Sequence, residues 1–109
     1  MFDIDSIEKQ IASSEAKTHG LRPNIEKKIV WGHQNRQKTS LCLVFIHGFS
    51  ATRAELSPVI EQIGMAIEAN VFFTRLTGHG QDGMALSEAT FKDWISDTKE
   101  AISIGEVIG

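Results

Sequence analysis

Apolar residues at the start of the chain recur at helical spacing. Ile4, Ile7, Ile11 and Ala12 stand between charged neighbours and predict a short amphipathic helix that Gly20 and Pro23 of "HGLRPN" bring to an end. That helix reads as an appendage. The pattern then changes: β-branched Ile25, Ile29 and Val30 in "IEKKIVW" predict a strand, and the polar loop "GHQNRQKTS" leads into "LCLVFI". Leu41 to Ile46 are apolar at every position, as expected of a strand covered on both faces in a parallel sheet. The two strands are expected to form a hairpin or to lie side by side.

Further on, Ser57 before Pro58 reads as an N-cap with proline at the first helical position. Val59, Ile60, Ile63 and Ile67 keep one apolar stripe until Asn70 closes the helix. "VFFTRL", Val71 to Leu76, is a second apolar strand, and strand, helix and strand in that order predict a right-handed crossover between parallel partners. "TGHGQDGMALSE" reads as a run of turns. Thr90 with Asp93 forms a capping box that opens a last helix, with Phe91, Trp94, Ile95, Thr98, Ile102 and Ile108 as its inner face and Gly109 as its C-cap residue.

Size and charge narrow the functions. A chain of 109 residues is one domain at most, and 11 Lys+Arg against 14 Asp+Glu leave no basic stripe for a nucleic acid. The single cysteine, Cys42, lies in the apolar strand and is expected to be a buried, reduced thiol. The N-terminal stretch has acids where a secretory signal needs bases, and no segment is apolar enough to span a membrane, so a cytoplasmic location is expected. His19, His33, His47 and His79 lack metal-ligand spacing, so no metal is expected.

Candidate chemistry lies just beyond the carboxyl ends of the two apolar strands, where loops of a parallel sheet converge. His47, Gly48, Phe49 and Ser50 follow the first, and Gly78, His79 and Gly80 follow the second. "VFIHGFSATRAELSPVIEQIG", "FFTRLTGHGQDG" and "ATFKDWISDTKEAISIG" together resemble the first half of a bacterial serine α/β-hydrolase of the esterase or lysophospholipase type. The resemblance implies residues 1–24 as a helix and linker and 25–109 as the N-terminal half of a mostly parallel sheet flanked by helices. It also implies a role for the Phe49 backbone N–H in an oxyanion hole, a small-molecule ester or acyl substrate, an acyl-enzyme and no cofactor.

Under the same resemblance His47 holds its loop and Gly78, His79 and Gly80 border the acyl pocket; Arg75, by its place at the end of its strand, either ties that loop down through its planar donors or points to solvent. The nucleophile motif Gly-x-Ser-x-Gly does not occur: the only glycines so spaced, Gly105 and Gly109, place Val107 at the serine position. The sequence therefore reads as a fragment that lacks the C-terminal half of its domain and is inactive alone. Two other readings are open: a non-catalytic interaction or regulatory domain, and a dinucleotide site, since "GHGQDG" formally matches G-x-G-x-x-G. The second conflicts with its context, because Met84 to Ala89 separate Gly83 from the next expected helix cap.

Overall fold

The structure, a computed structural model, describes residues 2–49 and 51–109. Helix α1 (Ile7–Ala16) is followed by strands β1 (Lys28–Val30) and β2 (Cys42–Phe45), a 3₁₀ turn (Arg53–Glu55) and helix α2 (Ser57–Ala66). Strand β3 (Asn70–Phe73) and helices α3 (Gly83–Glu88) and α4 (Phe91–Ile108) complete the chain. The sheet order is β1-β3-β2.

This arrangement corrects the expected fold class. The chain is a small α+β domain with a mixed sheet: β2 runs parallel to β3, with Leu43 opposite Val71, but β1 runs antiparallel to it, with Ile29 opposite Phe72. With one of its two strand pairings antiparallel, the sheet is not the mostly parallel one expected. The predicted β1/β2 neighbourhood also fails, because β3 lies between them. Asn70 explains the insertion. At 0% exposure it opens β3; its side-chain oxygen accepts from Gly32 N–H at 2.8 Å, and its amide donates to the carbonyls of Gln37 and Ile108 at 2.8 and 2.7 Å. Its own N–H donates to Thr39 Oγ1 at 3.1 Å. A buried amide must find partners, and here they bind the loop from β1 to β2 around the first residue of β3. Asn70 is thus a strand residue and not the helix stop that its polarity suggested.

Each face of the sheet is covered by helix, and glycines set the approach. A Cβ at Gly64 of α2 would stand 2.5 Å from Val71 Cγ2, and one at Gly105 of α4 would stand 2.7 Å from Val44 Cγ2. Neighbouring strand residues point to opposite faces, so α2 covers the Leu43/Val71 side and α4 the Val44/Phe72 side. On the α4 side Ile7, Ile11, Ile29, Phe72, Ala101, Ile104 and Ile108 form the core. Helix α1 is therefore part of the core and not an appendage. Central β3 is buried throughout, whereas β2, at the edge, is only half-buried along its length.

Several local readings shift as well. The stripe of α2 faces outward, with Val59, Ile63 and Ile67 exposed, and on α4 Phe91, Ile95 and Ile102 are exposed while Ala101 and Ile104 are buried. Ser57 does not cap α2; its hydroxyl donates to Glu61 Oε1 at 2.9 Å, and the cap position is Leu56. The capping box of Thr90 and Asp93 does form. Within the supposed run of turns, Asp82 caps α3 by accepting from Ala85 N–H at 2.9 Å. No helix among the described residues is long and apolar enough to cross a membrane.

Candidate functional site at the ends of β2 and β3

The two loops singled out in the sequence meet. The rings of His47 and His79 lie 4.7 Å apart between centroids, and Phe49 packs edge-on against His79 at 5.9 Å and against Trp94 at 5.6 Å. His79 and Trp94 close the cluster at 5.8 Å. Ser50 lies outside the described residues.

His47 is buried and engaged at both ring nitrogens. Nε2 accepts from the Leu76 N–H at 3.0 Å, so Nδ1 carries the proton and donates to the Gly48 carbonyl at 2.8 Å. Burial is the main influence on its pKa, which lies below the ordinary 6.5, and His79 and Arg75 act in the same direction against Gly48 and Glu55. A neutral ring with both nitrogens occupied is a joint between two loops, since a proton carrier needs a nitrogen open to the substrate. Gly48 is exposed, and a Cβ there would come no nearer than 3.9 Å to Glu55 Oε2. Beyond it the Phe49 ring is 70% exposed, and its backbone N–H has no hydrogen-bond acceptor among the described residues.

The second loop is bound more tightly. Gly78 and Gly80 have φ of 84° and 77°, the left-handed region that glycine enters without strain. A Cβ at Gly78 would also stand 2.7 Å from the Ala85 carbonyl oxygen, so α3 packs directly on this turn. Arg75 ties the loop down. Its Nη1 donates to the His79 carbonyl at 3.0 Å, while Nε and Nη2 donate to the Glu15 carboxylate at 2.7 and 2.9 Å. Burial raises the Glu15 pKa, but the Arg75 hydrogen bonds and charge, with help from Lys27, outweigh it and leave the group below the ordinary 4.5. A cavity of about 230 Å³ adjoins this loop, with Ala51, His79 and Leu86 in its wall.

Sequence reasoning missed two supports. Trp94, expected only on a helix's inner face, donates its indole N–H to the Thr77 carbonyl at 2.9 Å, and its ring walls the cluster. Asp97 accepts from the Thr77 N–H at 2.5 Å and from the Thr77 hydroxyl at 2.7 Å. Their spacing three apart on α4 was the available signal, since it sets both on one side of that helix.

Other candidates gain nothing from the structure. Gly83 does open α3, contrary to the expectation of a later cap, but no atom lies within 4 Å of a Cβ placed there. The close helix-strand packing that a dinucleotide fingerprint requires of its third glycine is therefore missing. Cys42 is half-buried, and desolvation pushes its thiol up to about 11, which makes it a poor nucleophile. Among the described residues no group of three or more His, Cys, Asp or Glu is placed to hold a metal. No protein-family model matches the chain, and no curated protein matches it.

Proposed function

We propose that this chain supplies the oxyanion-binding part of a serine acyl hydrolase that acts on carboxylic esters or related acyl compounds, with nucleophile, acid and base contributed by residues outside this sequence. The observation that supports it is the meeting of His47-Gly48-Phe49 with Gly78-His79-Gly80, with ring centroids of the two histidines 4.7 Å apart, beyond the ends of two parallel strands. In this reading, attack on the acyl carbon drives negative charge onto its oxygen, and the Phe49 N–H, held by a turn that His47 fixes, stabilises that charge without reorganising. The rings of Phe49, His79 and Trp94 offer an apolar wall to the acyl group. The adjoining cavity, at about 230 Å³, is smaller than the roughly 300–1,000 Å³ of a small-molecule site, as expected if further walls come from elsewhere.

The test has two arms. The 109-residue chain alone is expected to leave p-nitrophenyl esters unhydrolysed, because no Gly-x-Ser-x-Gly is present and the Ser57 and Ser87 hydroxyls are bonded to Glu61 and the Met84 carbonyl. In an active assembly of the chain with the nucleophile-bearing segment, Phe49→Pro should lower kcat by roughly 10²–10³-fold with little change in KM, while Phe49→Leu keeps the donor and costs far less. Saturable, phosphonate-sensitive turnover by the chain alone, or near-normal kcat in a folded Phe49→Pro enzyme, overturns the reading. A second reading, an interaction module without catalysis, is favoured by the exposed apolar stripe Val59, Ile63 and Ile67 on α2. It predicts no esterase activity in any assembly.

A further inference from the structure

Another cavity adjoins the Gly78-His79-Gly80 loop from the α1 side, where the Arg22 N–H donates to the Gly80 carbonyl at 2.8 Å. About 540 Å³ in volume, it opens between α1 and the segment that leads into β1, with Ile11, Ala12, Leu21 and Ile29 among its walls. That volume falls within the roughly 300–1,000 Å³ of small-molecule sites. Its charges are unevenly matched. Three acids line it, but Glu8 is paired with Arg36, Glu15 with Arg75 and Glu26 with Arg53, and all three of those arginines lie outside the lining. Of the lining cations, Lys27 is paired with Glu100 at 2.7 Å, while Arg22 and Lys28 have no ion partner among the described residues. A cavity walled in part by apolar side chains, whose acids are all ion-paired and which keeps two exposed cations at its wall, suits a molecule with one anionic head and a hydrocarbon body.

We infer that this cavity binds an alkyl carboxylate, its carboxylate held by Arg22 and Lys28 and its tail laid against Ile11, Ala12, Leu21 and Ile29. Guanidinium and ammonium together match a carboxylate, because the first offers a planar fork and the second a point charge. Lys27 already has Glu100, so the head is held by Arg22 and Lys28. The site is not formed by the aromatic cluster at the ends of β2 and β3, and its occupancy does not depend on the hydrolase reading, since binding is measured without any ester.

The experiment is isothermal titration of the 109-residue chain with decanoate below its micellar concentration, which excludes binding to a lipid surface. One saturable site is expected. Decanol and decyltrimethylammonium, with the same tail but no negative head, should bind at least about tenfold more weakly, as should decanoate to Arg22→Gln/Lys28→Gln, the loss typical of a charged hydrogen bond. Ala12→Trp, at an exposed helix position on the cavity wall, should block binding while the circular dichroism spectrum stays unchanged. Absence of a saturable site, equal affinity for decyltrimethylammonium, or unchanged affinity in the folded double variant overturns the inference.

Discussion

At His47 one imidazole joins the ends of two strands, and its protonation state decides whether the joint holds. The ring accepts the Leu76 N–H through Nε2, which a proton on that nitrogen would abolish. Burial, its largest influence, keeps the folded-state pKa below 6.5, so as the pH falls the unfolded chain binds the proton first. The stability contributed is complete above about 6.5 and declines below it until His47 protonates within the fold. Glu15, with its pKa below 4.5, titrates in a lower window and leaves this one undisturbed. Urea titrations from about pH 7.5 to about pH 5.5 should show the wild type losing stability more steeply than His47→Gln, which lacks the titrating ring. Parallel profiles would mean that His47 is not a buried neutral acceptor. The His-Gly pair itself was legible in the sequence, because a glycine directly after an apolar strand marks a sharp turn. The acceptor role was not, since Leu76 is far along the chain.

Helix α2 shows what decides an element's orientation. Its most apolar stripe, Val59, Ile63 and Ile67, predicted the buried face, yet the helix meets the sheet through Gly64, where a Cβ would stand 2.5 Å from the Cγ2 of fully packed Val71. Gly64→Ala should therefore lower the melting temperature. Overpacking a core costs about 1–3 kcal/mol, and the better helix propensity of alanine offsets about 1. Gly83→Ala is the control: it also lies in a helix, with no atom within 4 Å of its Cβ, and should leave the melting temperature unchanged or raise it. Equal melting temperatures for both variants would show that α2 does not depend on this close approach. Of the two N-caps expected from the sequence, Ser57 fails and Thr90 forms. Thr90 and Asp93 close their box within one turn, whereas the face of a helix is selected by what packs on it.

For the whole molecule, exposed apolar surface and an incomplete sheet edge act together. Strand β2 pairs with β3 on one side and has no strand partner among the described residues on the other, while Val59 and Ile63 of α2 and Ile95 and Ile102 of α4 stay exposed. Unpaired edges and apolar patches promote association. At roughly tens of micromolar, light scattering should find dimers or larger species, and Val59→Lys/Ile63→Lys should shift the population toward monomer without loss of helix by circular dichroism. A monomeric wild type would remove this expectation. The sequence by itself determined three of the helices and all three strands apart from their exact ends, the parallel pairing of β2 with β3 through α2, and the positions of the two glycine-bearing turns, but not α3, because apolar periodicity and glycine act over a few residues and α3 has no apolar stripe. Tertiary structure alone decided the rest: the antiparallel β1, the place of β3 between its neighbours, the outward stripe of α2, and the Trp94 and Asp97 supports beneath the candidate site. Each depends on which partners a buried polar group or a close-packed glycine finds across the chain. Asn70 is the clearest instance, since its polar side chain suggested a helix stop and only the Gly32 N–H and the Gln37 and Ile108 carbonyls around it make it the first residue of the central strand.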